Sequence, residues 1–164
     1  FEQMRAPLGV YACLGNHEYL SGIELSMNFL RKTNIRLLID STALIDNSFR
    51  LIGRDDLQGN HNRKPLSGLI AETDTLLPLF LLDHEPVNLN DAEQNGIDLQ
   101  FSGHTHRGQI WPFSLLVENM YETAYGYNRK GNTQYYITSG IGLWGPPFRI
   151  GTNSEIVVFN VRFL

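Results

Sequence analysis

The sequence predicts a strand-rich α/β domain, and three observations carry that reading. Short apolar segments recur along the chain, helical periodicity is confined to two brief stretches, and histidines gather directly after strand-like segments. With 164 residues, 42% of them hydrophobic and 11% aromatic, the chain can bury one real core, so residues 1–164 read as a single globular unit.

Taken in order, Val10, Ala12 and Leu14 alternate with Tyr11 and Cys13, a largely buried strand ending at Gly15. Ser21 and Glu24 have the spacing of a capping box, and Ile23, Met27 and Leu30 recur at i, i+4 and i+7. This predicts an amphipathic helix over 22–32, ended by Asn34. "RLLID", "TALI" and "FRLIG" read as three short strands, the last two joined at "DNS" by residues that tolerate a tight turn. "LFLLD" at 79–83 has the most buried character. "NDAEQNG" starts at Asn90, carries an acidic first turn and stops at Gly96, a short helix before the strand "IDLQFS", whose Ile97, Leu99 and Phe101 face one way. Residues 109–132 mix aromatic and polar side chains without a clean period and read as surface loops. "QYYITS" and "EIVVFNVRF" are two further strands.

A net charge of -4 with no run of five basic residues leaves no electrostatic footprint for nucleic acid or an anionic membrane surface. A phosphate-bearing substrate must therefore be neutralised locally. The longest apolar run, "TLLPLFLLD" at 75–83, is interrupted by Pro78 and is far short of the roughly 20 residues of a membrane span. The single cysteine, Cys13, excludes an internal disulfide and fits core packing. Cytoplasmic, membrane-associated and exported locations all stay open. The chain opens at Phe1 without an initiator methionine and runs at once into a strand, which is the expectation for a piece of a longer protein.

The chemistry sits at three strand exits. "LGNHEY" brings Asn16, His17 and Glu18, "LLDHEP" brings Asp83, His84 and Glu85, and "FSGHTH" brings His104 and His106. In extended backbone, residues two apart share a face, so His104 and His106 can reach one centre. Neutral imidazole with an Asn carbonyl suits Mn, Fe, Zn or similar divalent ions. Gly15, Gly103 and Gly108 would let the backbone turn sharply and approach closely. His61, in "GNHNRK", has no such setting and reads as a solvated loop residue. Other histidine chemistries fail on spacing. No second His stands four residues after His17 or His84, and Pro86 blocks a helix after His84, so a zinc-protease helix is excluded. An amidohydrolase barrel needs about 250 residues, and no GxSxG elbow supports a serine hydrolase.

"GNHE" at 15–18, a solitary His84 after a strand and "GHTH" at 103–106 occur in the order of the last three blocks of the calcineurin-like metallophosphoesterases, which this sequence resembles over almost its whole length. "DLQFSGHTHRGQIWP" and "SGIGLWGPPFRIGTNSEI" resemble the bacterial YaeI/YkuE-like phosphodiesterase branch. The resemblance implies a β-sandwich flanked by helices, present as its C-terminal portion, and hydrolysis of phosphomonoesters or phosphodiesters by metal-activated hydroxide. It implies that Asn16, His84 and His104 ligate one of two divalent ions and His106 the other. His17 would face the scissile phosphate as a proton donor or cation. The family's first two blocks, Asp-x-His and Gly-Asp-x-x-Asp, are absent from these residues, so the fragment itself is expected to be inactive.

Glu18, Asp83 and Glu85 read either as orienters of the imidazoles or as structural turn residues. Arg107, Arg149 and Arg54 are candidate phosphate contacts, Arg54 equally an ion-pair member. Trp111 and Trp144 would line a cleft or cover the core, and Trp111, Pro112, Phe113 and Leu115 admit a lipid-linked substrate. Two rivals are a non-catalytic binding domain with a degenerate metal site, and a mononuclear hydrolase using Asn16, His84, His104 and His106 alone.

Overall fold

Alternating apolar side chains set the central sheet, seen in a computed structural model that describes residues 1–71, 73 and 76–163. Thr75 of the long apolar run lies outside the described residues. In chain order the elements are β1 (Val10–Ala12), α1 (Asn16–Leu20), α2 (Ile23–Leu30), β2 (Ile35–Leu37), β3 (Ser41–Ile45), β4 (Phe49–Gly53) and α3 (Leu66–Ala71). They continue with β5 (Leu79–Leu82), α4 (Leu89–Gln94), β6 (Leu99–Ser102), a 3-10 turn (His106–Gly108), α5 (Phe113–Met120), β7 (Gly126–Lys130) and β8 (Thr133–Ile137).

β1 and β2 form a small parallel pair, and the other strands form one sheet in the order β3-β4-β5-β6-β8-β7. β4, β5, β6 and β8 run parallel, with β3 and β7 antiparallel at the two edges. The carboxyl ends of the parallel strands therefore open on one edge, where ligands of open α/β sheets bind. Strand alternation divides the core between two faces. Ile52, Leu79, Leu81, Tyr135 and Ile137 pack under Leu66 and Leu69 of α3 and Leu89 and Ala92 of α4. Leu51, Phe80 and Leu99 cluster with Leu38 and Ile45, with Tyr11, Phe49, Leu82 and Phe101 around them. Each buried Leu, Ile or Phe contributes about 1.5–3 kcal/mol relative to exposure.

The β3–β4 hairpin turns on Asp46 and Asn47, both left-handed, as the "DNS" reading requires. Five expectations are corrected. The helix over 22–32 is α2, but Gly22 occupies its N-cap with no side-chain hydrogen bond, so Ser21 and Glu24 form no capping box. α4 starts at Leu89 behind a left-handed Asn88, two residues before the expected Asn90 signal takes effect. Ile97 precedes β6 and packs into the helix-covered core, whereas Leu99 belongs to the opposite cluster with Phe101 around it. The 109–132 region holds α5 and β7 and is not merely loops.

The fifth correction is "EIVVFNVRF", which pairs with no strand. Its alternation is nevertheless expressed. Phe159 packs edge-on against Phe101 and Tyr136, and Phe163 stacks by Phe49 and Phe80, while Ile156 and Val158 face outward. Aromatic docking on the sheet replaces the ladder that would have made it a strand. Among the described residues no helix is long and apolar enough to cross a membrane.

Candidate functional site

Three chain exits converge at the sheet's carboxyl edge. α1 begins directly at Asn16 and His17, and the Glu18 carboxylate accepts from the Gly15 N–H at 2.8 Å, satisfying one of the orphan donors at the helix start. Gly15 is required here for space. A Cβ at this position would sit 2.9 Å from the His84 ring. That close approach brings Asn16 Oδ1 to 3.1 Å from His84 Nε2. The rings of His84 and His104 meet edge to face at 5.2 Å between centroids. The Gly103 N–H donates to the His84 carbonyl at 2.9 Å, tying the second exit to the third.

Glu85 is buried and takes His104 Nε2 at 3.2 Å, and it also accepts from the Gln58 side-chain amide. Asn16, His17, His104 and His106 line one cavity of about 320 Å³, and His84 shares a neighbouring hollow with His104, His106 and Cys13. All four expected ligands and His17 are thus gathered. His61 is absent from both linings.

The two histidines of "GHTH" do not converge through extended backbone. His104, His106, Arg107 and Gln109 all have φ between 48° and 66°, in the left-handed region, and Gly108 lies at 71°. Such conformations cost about 1–3 kcal/mol each and persist only where surrounding contacts fix them. Those contacts are present. Thr105 Oγ1 donates to the Ala124 carbonyl at 2.7 Å and accepts from the Arg107 N–H at 3.1 Å. Gln109 is buried, donates to the carbonyls of Trp144 and Pro146 and accepts from the Trp144 N–H. Gly108 is the glycine the loop demands, since a Cβ there would strike the Ser114 backbone at 2.5 Å. A Cβ on Gly103 would meet only Thr138 at 3.7 Å, so Gly103 is not needed for clearance.

The remaining candidates are held in place by other partners. Arg149 donates to the carbonyls of His106, Ser139, Gly140 and Gly142. Arg107 lies over the Tyr125 ring at 4.4 Å. Arg54 sits in a buried network, 3.3 Å from Asp83 and 2.9 Å from Asp91, and Arg63 takes the other Asp83 oxygen at 2.9 Å. Burial raises the Asp83 carboxyl while both guanidiniums work against that. Trp144 lines the histidine cavity and Trp111 does not. Sequence reading missed Arg63, Gln58, Gln109 and Tyr121, whose ring stands edge-on to His104. The one available signal was Gln109, a polar residue inside the quoted histidine motif.

Residues 1–108 match the family model for calcineurin-like phosphoesterases. The chain belongs to this family. An uncharacterized metallophosphoesterase of Campylobacter jejuni is 36% identical over 94% of this chain and 42% of its own length. A zebrafish (Danio rerio) protein named transmembrane protein with metallophosphoesterase domain is 35% identical, over 94% of this chain and 39% of its own. Phosphodiesterase YaeI of Escherichia coli is 27% identical, over 98% of this chain and 63% of its own. The chain spans less than half the length of the first of these relatives. No solved structure matches it significantly.

Calcineurin-like phosphoesterases generally use two divalent metal ions, and the donors gathered here suit such ions in part. His106 Nδ1 is buried without a hydrogen-bond partner, a lone imidazole nitrogen of the kind a metal satisfies. Burial, and then the neighbouring imidazoles, push the His84 pKa down to about 4, and burial followed by Arg149 lowers that of His106. Both are neutral near physiological pH, the form that ligates. Glu85 on His104 Nε2 leaves Nδ1 of that ring to offer a lone pair. Yet among the described residues no three His, Cys, Asp or Glu side chains are placed to hold one ion together.

The His84 shift predicts a pH dependence in chelator. Unfolded imidazole titrates near about 6.5 and the folded one near about 4. Above that window neither form binds the proton. Inside it only the unfolded chain does, so stability falls as the pH drops from about 6.5 to about 4 and then levels. Urea midpoints measured across this range should show that decline, and His84→Gln should flatten it. Parallel curves for the two proteins would refute the assignment to His84.

Proposed function

We propose that this chain carries one side of the catalytic centre of a metal-dependent hydrolase of phosphomonoesters or phosphodiesters. Asn16, His84 and His104 would hold one divalent ion and His106 a second, with Mn, Fe or Zn as the matching metals. The supporting observation is the meeting of Asn16 Oδ1 and His84 Nε2 at 3.1 Å beside His104, at the carboxyl edge of the parallel strands. Two such ions clamp a phosphoryl group and supply hydroxide near neutral pH.

The chain's own residues then have distinct tasks. His17 is exposed at the start of α1 and lines the same cavity as His104 and His106, a position suited to giving a proton to the leaving oxygen. Glu85 fixes the His104 tautomer, and Gly15 allows Asn16 to reach His84. Arg149 serves by fixing the His106 carbonyl, and Arg107, which lies over the Tyr125 ring, would contact the phosphate.

Four ligands without a bridging carboxylate should bind metal weakly. Titration of this chain with Mn²⁺ or Zn²⁺ is expected to give fewer than two tight equivalents and little turnover of bis-p-nitrophenyl phosphate. A form that also carries the Asp-x-His and Gly-Asp-x-x-Asp blocks should gain both. Equal full activity in the two forms would overturn this reading, and one tight ion in an active short chain would favour the mononuclear alternative.

A further inference from the structure

The cavity at the imidazole cluster has a chemically mixed lining. Asn16, His17, His104 and His106 supply its nitrogen and amide groups, with Thr105 and Tyr121 beside them, and Leu20, Val117, Met120 and Trp144 supply its apolar surface. Val117 and Met120 lie three apart on α5 and so share a helix face. Neither they nor Leu20 and Trp144 belong to the two core clusters, and Leu20 and Met120 are 76% and 73% exposed. The fold therefore does not use this apolar surface for its own stability. Contiguous exposed apolar surface beside convergent polar groups marks a binding site.

The apolar wall is also held in position. Gln109 bonds the Trp144 backbone on both its N–H and its carbonyl, at 2.9 and 2.7 Å. Thus the loop that carries the histidines also fixes the Trp144 backbone at the same cavity. No Lys or Arg lines the cavity to meet a second phosphate, and of the two hydroxyl side chains in the lining Thr105 is bonded to the Ala124 carbonyl and the Arg107 N–H, which leaves Tyr121 beside the apolar residues. A volume of about 320 Å³ is at the small end for ligand pockets, enough for one apolar arm.

We infer that this cavity selects phosphate esters whose alcohol arm is apolar, an alkyl or aryl group, with Val117, Met120 and Trp144 setting the preference. The inference rests on the phosphoester reading above and names the substrate class of that site. The phosphate faces the imidazole wall, and the carbon arm lies along α5, where each methylene leaving water adds to affinity.

The test uses Trp144 as its own reporter. The chain has two tryptophans, so Trp111→Phe leaves Trp144 alone. Fluorescence of this protein, loaded with Zn²⁺, is titrated with inorganic phosphate, butyl phosphate and hexyl phosphate. Hexyl phosphate is expected to bind about tenfold or more tighter than butyl phosphate. Met120→Gln, at an exposed position, and Val117→Ser should each remove much of that difference and leave inorganic phosphate binding unchanged. Equal affinities for the two esters, or a preference that survives both substitutions, would overturn the inference. Inorganic phosphate binding without chain-length dependence discards the apolar wall and leaves the hydrolase reading standing. Chain-length dependence in this chain, with no ester hydrolysis by the metal-loaded longer form, keeps the apolar wall and discards the hydrolase.

Discussion

Replacing His17 by alanine, in a metal-loaded form extended by Asp-x-His and Gly-Asp-x-x-Asp blocks, is expected to lower kcat by about 10²–10⁴ on the hydrolase reading proposed above, the contribution of a positioned proton donor. Of the four histidines at the site His17 is the exposed one, at the start of α1, with its ring neither hydrogen-bonded to Asn16 nor stacked on His84. Metal content should therefore stay as in the parent, which separates this variant from His84→Ala, where metal is lost together with turnover. The effect should also depend on the leaving group. A good leaving group such as p-nitrophenolate needs little protonation, so the loss should be smaller there than with an alkyl ester. A uniform loss across leaving groups would remove His17 from proton donation.

Asp83→Ala is expected to cost about 3–5 kcal/mol of stability, because it removes the carboxylate partner of the buried Arg63 and one of the two carboxylates paired with the buried Arg54. The side chains of Arg54, Arg63 and Asp83 are only 9%, 6% and 4% exposed. Arg54 keeps Asp91, whereas Arg63 is left with the Asp55 carbonyl alone. Asp83→Asn retains the shape and two acceptor lone pairs and should cost clearly less. A fall in the urea midpoint at constant slope measures both. Since Asp83 directly precedes His84, Asp83→Ala should also weaken metal binding. An unchanged midpoint would show the network to be energetically neutral.

The sheet was legible in the sequence because its strands alternate. Leu79 and Leu81 point one way and Phe80 the other, and the observed clusters divide along those positions. β7 was not legible, since "GYNRK" is an edge strand with an alternation too polar to register. α5 did carry a signal, with Phe113, Leu116, Val117 and Met120 at helical spacing, but those side chains face a cavity and solvent instead of a core. In the site, residue identity was readable and backbone was not. Nothing in "GHTH" discloses that both histidines are left-handed, because that conformation is held by contacts with Ala124, Trp144 and Arg149, all distant in sequence. "EIVVFNVRF" failed for a related reason, since a strand exists only where a neighbour supplies the ladder.

The donors proposed for one ion come from chain positions as far apart as Asn16 and His104. Any ion they share would tie together distant parts of the chain in the native form, and unlike a disulfide it would leave the unfolded chain unconstrained. A metal bound only by the native form adds stability in proportion to RT ln(1 + [L]/Kd). For a chain with a single, half-buried cysteine whose thiol is pushed up to about 12 by desolvation, such an ion would supply the reversible cross-link that an internal disulfide cannot. Its resistance to heat and proteolysis should then follow the free metal concentration of its surroundings.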